Sequence, residues 1–314
     1  MRIGLLGAGR TRQGLGPFLA SAFTRAGARV VAIAGRERGS TERSADSLAA
    51  RLGHPIVVAA DAHALAGMVD ALVVAAPVPG HLDGLDAALA AFVPCLCEKP
   101  LVAPADAAAG RQRIDAFRTR GLLLAENCQW PFVLPALFEL HPQLRAGGRA
   151  FRTVAMGLAP AWPGPAMVAD SLSHVLSVVQ ALVPLPADAR ALRVEQSDGG
   201  PTATANTVRF DVAGPAGAVA VVLQLTQCPE QPRPAWIEVD GCRIDRRIGA
   251  EYSLSFARPD GTAVLVQDPL QQLVYGFLSD LRARNRDRTK AHADAIALRL
   301  RLYADVLDQL GIRA

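Results

Sequence analysis

The sequence predicts an α/β protein in two parts, a doubly wound parallel sheet followed by a second domain built on longer strands. Three observations lead there. Short, wholly apolar strands alternate with helices over the first part. A glycine-rich turn, Gly7-Ala8-Gly9, closes the first of those strands. Later strands lengthen and alternate apolar with polar residues, as in a sheet with one covered face. The domains are set at residues 1–124 and 125–314.

Arg2 to Leu6 is the first strand. A helix follows from about Pro17 to Ala26, with Pro17 suited to its first turn and Gly27 to its end. Arg29 to Ala34 is a strand, Ser44 to Leu52 a helix, Ile56 to Ala59 a strand, and Ala62 to Gly67 a short helix. Ala71 to Ala76 reads as a fully buried strand. Leu82 to Ala91 is a helix, Pro94 to Cys97 a strand, Ala105 to Arg120 a helix and Leu122 to Ala125 a strand. In the second part the strands are Arg149 to Leu158, Arg190 to Glu195, Thr207 to Ala213, Ala218 to Thr226, Ala235 to Val239, Arg243 to Ile248, Tyr252 to Ala257 and Ala263 to Gln267. Asp240-Gly241 and Pro259-Asp260-Gly261 are turn signals. Asp170 to Val183 is a helix, and the last helices are Leu270 to Arg284 and Ala291 to Leu310.

Composition narrows the function classes. Of 314 residues, 51% are apolar and 20% charged, which excludes a largely disordered chain. No apolar run reaches the roughly 18 residues of a membrane span. Ile3-Gly4-Leu5 opens the chain with no secretory pattern, so a cytoplasmic location is expected. The 33 basic residues nearly balance 29 acidic ones, and the densest basic run, Arg282 to Lys290, lacks the aromatic interleaving of nucleic-acid binding. It reads as a solvated face or linker. The five cysteines show no CxxC or Cys/His ligand spacing, so no metal site is expected. Only Lys99 and Lys290 are lysines. Where arginine supplies the generic positive charge, a lysine points to chemistry that arginine does not do.

Four places carry chemistry. The turn of Gly7, Ala8, Gly9, Arg10 and Thr11 stands where a pyrophosphate meets a helix N-terminus. Its third glycine position is Arg12, and glycines return only at Gly14 and Gly16. After the second strand, Arg36 and Arg38 favour the 2′-phosphate of NADP, while Glu37 keeps NAD open. Glu98-Lys99-Pro100 follows a strand whose carboxyl end faces the cofactor crevice, and Lys99 is a compact donor there. Asp170 and His174 lie one helical turn apart. A carboxylate so placed can orient an imidazole for acid–base work; the competing reading is an N-cap and an exposed histidine.

Taken in order, these segments resemble the Gfo/Idh/MocA oxidoreductases over nearly the whole chain. The resemblance rests on the glycine turn, Ala75-Ala76-Pro77-Val78-Pro79-Gly80-His81, Glu98-Lys99-Pro100, the Asp170-x-x-x-His174 pair and the β-rich second half. It implies a Rossmann domain and an α/β domain with an open, mostly antiparallel sheet. It also implies a nicotinamide cofactor, NADP or NAD, a sugar, polyol or related substrate, and a homodimer or homotetramer. By that resemblance Lys99 contacts the substrate oxygen and His174 exchanges the proton. Asp170 orients His174, and Ala76, Pro77, His81 and Glu98 belong to the cofactor site. Gln129 and Trp130, in Glu126-Asn127-Cys128-Gln129-Trp130-Pro131, face cofactor or substrate, where the family often carries an aromatic-Arg pair. Trp162, among Pro160, Pro163 and Pro165, shapes a loop at the substrate entrance or anchors packing. The alternative is a non-catalytic protein sensing a dinucleotide or sugar; such a descendant is expected to lose Lys99 or His174. A third reading, an imine or pigment reductase, meets low aromatic content, 5%.

Overall fold

A computed structural model describes the chain except residues 10–13, 149, 215–216, 251–252 and 313–314. Arg10 and Thr11 therefore lie outside the described residues. The chain divides into two compact units, Met1–Asn127 with Leu270–Ala297, and Cys128–Pro269 with Leu298–Ala314.

The first unit alternates β1 (Arg2–Leu6), α1 (Gly16–Arg25), β2 (Arg29–Ala34), α2 (Arg38–Leu52), β3 (Val57–Val58), α3 (Ala62–Ala66), β4 (Ala71–Val74), α4 (His81–Ala90), β5 (Cys95–Cys97), α5 (Ala107–Arg120) and β6 (Leu124–Glu126). The six strands run parallel in the order β3-β2-β1-β4-β5-β6. This is a Rossmann sheet. Its strands are apolar runs because both faces are covered: Ile3, Val30, Ala71 to Val74 and Cys95 to Cys97 are buried. The order reverses between β1 and β4, and the carboxyl ends at that switch point form the crevice where such sheets hold ligands.

Two glycines make the first crossover possible. Gly7 has φ +89°, and a Cβ there would lie 2.5 Å from the backbone of Ala76. A Cβ on Gly16 would lie 2.7 Å from the Gly7 carbonyl oxygen. Gly16 thus gives the close helix-to-strand packing usually supplied by the third glycine of the turn, whose standard position holds Arg12.

Helix α2 begins at Arg38, not Ser44. Its first turns carry no apolar stripe, and the Ser40 and Thr41 hydroxyls donate to the Glu37 carbonyl at 3.0 and 2.8 Å. The segment 270–297, expected in the second domain, completes the first unit. Helix α8 (Pro269–Ala283) packs on α1: Phe23 and Phe277 meet edge to face at 6.1 Å, and Arg25 Nε donates to Gln271 Oε1 at 2.6 Å. Helix α9 (Arg286–Gln309) starts within the basic run and passes from one unit into the other. Asn285 Oδ1 caps it, accepting from the amides of Asp287 and Arg288 at 2.9 and 3.1 Å. Arg282 to Lys290 is therefore the junction of two helices, not a linker.

The second unit contains α6 (Leu134–Leu140), β7 (Thr153–Leu158), α7 (Pro165–Leu182), β8 (Ala191–Ser197), β9 (Ala205–Gly214), β10 (Gly217–Thr226), β11 (Trp236–Val239), β12 (Cys242–Ile248), β13 (Leu254–Ala257) and β14 (Ala263–Val266). The eight strands run β14-β13-β12-β11-β7-β10-β9-β8; β7 and β10 are parallel and the other neighbours antiparallel. Val154, Met156, Val221, Leu223, Ile237 and Ile244 are buried in the sheet, and α7 lies on β7 and β10. On β14 Leu265 is 84% exposed. Helix α7 starts at Pro165, five residues before Asp170, because proline suits the first helical turn and the buried Met167 and Val168 extend the apolar face. No helix among the described residues is long and apolar enough to cross a membrane.

Substituting Gly16→Ala should cost about 1–3 kcal/mol by forcing backbone apart. A thermal melt reads this as a lower Tm; an unchanged Tm would show that the start of α1 yields without cost.

Candidate cofactor and acid–base sites

In the first unit every candidate residue follows a strand's carboxyl end. Gly7, Ala8 and Gly9 follow β1, Arg36 follows β2, Ala76 and Pro77 follow β4, Glu98 and Lys99 follow β5, and Asn127 follows β6. Pro77 and Arg36 are exposed, while Ala76, Glu98 and Lys99 are half-buried. Leu15, the N-cap of helix α1, offers its first amides no side-chain cap. Those amides and the side-chain-free backbone at Gly7 fit a dinucleotide pyrophosphate.

The end of β2 distinguishes its two arginines. Arg38 is tied to Glu42 at 2.9 Å, whereas Arg36 has no ion pair among the described residues. Gly35 precedes them, and a Cβ at that position would lie 2.6 Å from Thr41 Oγ1. Glycine at this position supplies no carboxylate to accept from a ribose 2′-hydroxyl, and a side chain there would have to displace the Thr41 hydroxyl.

Three buried polar groups hold the loops after β4, β5 and β6 together. His81 is 1% exposed; its Nε2 lies 2.8 Å from the Ala76 carbonyl, and its Nδ1 3.0 and 3.2 Å from those of Pro100 and Leu101. The ring clasps the Pro77 loop to the Lys99 loop. His81 is therefore a positioning residue rather than the cofactor contact expected of it. Glu126 accepts from the Leu101 amide at 3.0 Å. Glu98 likewise spends a carboxylate oxygen on protein, accepting from Asn127 Nδ2. Asn127 Oδ1 is buried with no hydrogen-bond partner among the described residues, an acceptor open to an amide.

Burial, the largest effect, holds the His81 imidazole below the ordinary histidine range; the carbonyls of Ala76, Leu101 and Pro100 oppose it, and the Lys99 charge adds to it. Burial pushes the Cys95 and Cys97 thiols up, which leaves both unreactive.

In the second unit Asp170 and His174 stand one turn apart on α7. Asp170 lies in the second turn and Gly164 occupies the N-cap, so the capping reading of Asp170 falls. Asp170 is exposed and His174 half-buried. Trp130 is buried, and its ring meets those of His174 and Phe256 edge to face at 6.5 and 6.2 Å. Gln129, beside it, is half-buried. Trp162 is 59% exposed, which removes the packing-anchor reading. Its loop is held at backbone level, where Cys228 N donates to the Pro160 carbonyl at 2.9 Å and Gln227 Nε2 to the Ala161 carbonyl at 3.0 Å. Among the described residues no group of three or more His, Cys, Asp or Glu could hold a metal.

Sequence reasoning passed over Arg246. Its guanidinium carbon lies 5.8 Å from the Trp130 ring centroid. The available signal was phase: on β12 Arg246 is two residues from the buried Ile244 and shares its face.

The fold and the strand-end residues fit a dinucleotide site. Residues 1–127 match a family profile described as "Oxidoreductase family, NAD-binding Rossmann fold". That profile is the Gfo/Idh/MocA one, and the match spans those residues alone. Comparison with curated proteins gives no match. Among solved structures, UDP-N-acetylglucosamine 3-dehydrogenase from Acidithiobacillus ferrooxidans is 21% identical, with a TM-score of 0.69 over 100% of this chain and 98% of that one. An oxidoreductase from Agrobacterium radiobacter in complex with NAD+, L-tartaric acid and magnesium is 17% identical, with a TM-score of 0.65 over 98% and 97%. The WlbA dehydrogenase from Thermus thermophilus, in complex with NAD and UDP-GlcNAcA, is 17% identical, with a TM-score of 0.65 over 98% and 94%. At these identities the likeness is one of fold.

Because the folded chain binds the His81 proton less readily than the unfolded chain does, the stability tied to its neutral ring is present above the unfolded pKa. It is lost as pH falls through about 6.5. The Tm gap between wild type and His81→Gln should therefore narrow from about pH 7.5 to about pH 5.5. A gap that widens toward acid would contradict this sign.

Proposed function

We propose that the protein is an NADP-preferring dehydrogenase or reductase that interconverts a hydroxyl and a carbonyl on a sugar, polyol or related small molecule. The observation that carries the reading is Lys99. It is one of only two lysines in the chain and stands two residues past the end of β5.

The backbone at Gly7, Ala8 and Gly9 and the first amides of α1 would hold the pyrophosphate. Arg36 would hold the 2′-phosphate, a reading supported by glycine in place of a carboxylate at position 35 and by the pairing of Arg38 with Glu42. Pro77 would border the nicotinamide, and Asn127 Oδ1 would accept from its carboxamide. When bound, the nicotinamide supplies or takes the hydride. Lys99 would donate to the substrate oxygen. His174 would take the hydroxyl proton in oxidation and return it in reduction, with Asp170 fixing its tautomer. Trp130, packed against the His174 ring, would keep that ring from turning. Gln129 and the exposed Trp162 would complete the substrate walls. L-tartaric acid and UDP-GlcNAcA in structures of the same fold support a small hydroxylated substrate. Exposed Leu265 and Leu192 on the eight-stranded sheet support self-association as a dimer or tetramer.

Side-by-side titration with NADPH and NADH tests the cofactor reading. Wild type should prefer NADPH, and Arg36→Ala should weaken NADPH by about 10- to 150-fold while leaving NADH unchanged. NADH binding as tight as NADPH, or tighter, in wild type would overturn the NADP preference.

Lys99→Ala and His174→Ala should each lower kcat by about 10²- to 10⁴-fold with cofactor affinity intact. If both variants keep the wild-type rate on a true substrate, the acid–base assignment is wrong.

A further inference from the structure

We infer that Arg246 reads an oxyanion on the substrate, a carboxylate or a phosphate, so that the protein acts on an acidic rather than a neutral sugar or polyol. This rests on the dehydrogenase reading for the reaction and on the second unit alone for the binding.

Arg246 is out of place as a structural residue. Along β12 the side chains of Arg243, Asp245 and Arg247 point to one face, and those of Ile244 and Arg246 to the other. On the first face arginine is matched: Arg243 pairs with Asp245 at 2.7 Å and lies 4.2 Å from the Trp236 ring centroid. On the second, the face of the buried Ile244, Arg246 has no carboxylate among the described residues. Its Nη2 donates to the Arg233 carbonyl at 2.7 Å, and its Nε is buried without a hydrogen-bond partner. A guanidinium withdrawn from water without a counter-charge is costly.

A second cation stands beside it. Arg233, whose Nε donates to the Cys228 carbonyl at 2.8 Å, acts electrostatically on Arg246. Burial first, and Arg233 second, push Arg246 below the usual arginine range. A bound anion beside the guanidinium would offset that cost.

The location gives the charge a purpose. Arg246 lies against the Trp130 indole, and the same indole carries His174 on its edge. A substrate whose reacting hydroxyl addresses His174 would bring a charged group one indole away into the field of Arg246. A neutral substrate would leave the guanidinium uncompensated, and that difference is selectivity.

The test uses the full chain with D-gluconate, glucose 6-phosphate and glucose as probes, each followed by turnover with NADP+ and NAD+ and by calorimetry. Wild type should favour at least one anionic probe over glucose. Arg246→Gln should lose about 10- to 150-fold in kcat/KM for that probe, mainly through KM, with glucose unchanged. Arg246→Lys should recover part of the loss, and rising salt should weaken the anionic probe alone. The Tm and NADPH affinity of each variant report folding, and Arg246→Met serves if the glutamine variant is unstable. The inference is overturned if wild type prefers glucose, if no anion binds, or if Arg246→Gln lowers charged and neutral probes alike. Anion binding that Arg246→Gln abolishes, with no turnover by either nicotinamide, would sink the dehydrogenase reading and leave the anion site standing.

Discussion

Close approach of backbone at the first crossover underlies the first unit. A Cβ on Gly7, at φ +89°, would lie 2.5 Å from the Ala76 backbone, and Gly16 sets α1 against the Gly7 carbonyl. A single methyl group on either would separate β1 from β4 or α1 from the sheet. The switch point of the strand order lies between these same two strands, so the place where the backbone must be bare is also where a ligand enters. Packing and binding impose one requirement on the same residues.

Around this point the loops are fixed by buried polar groups rather than by apolar contact. His81 joins the Ala76 carbonyl to those of Pro100 and Leu101, Glu126 holds the Leu101 amide, and Glu98 holds Asn127. These bonds run to the backbone or to a neighbour, which ties down the segment bearing Lys99. The second unit reaches a similar end with aromatic rings: Trp130 packs against Phe256 and His174.

The parallel, doubly wound sheet was legible because apolar runs and a glycine turn are local signals. The apolar face of α7 was legible too, from Leu172, Val175, Leu176 and Val179, but its start was not. Pro165 to Ala169 follow a proline-rich loop, and the helix there depends on burying Met167 and Val168. His81 looked like a cofactor ligand because a motif shows a residue type and not its partners. Arg246 was readable by phase alone and went unread among many arginines. Least legible was the home of α8, whose Gln271 donates to the Ala22 carbonyl 249 residues away. No local pattern encodes such a pairing.

That last pairing bears on the order in which the protein comes to exist. Synthesis delivers all six strands of the first sheet before residue 127, yet the helix that packs Phe277 on Phe23 emerges only after the whole eight-stranded sheet. Through that interval the outer side of α1 is exposed to solvent, or to any apolar surface nearby. The nucleotide-binding unit, first in sequence, is thus among the last to be finished. The chain matures by closing a long loop rather than by adding one domain to the end of another.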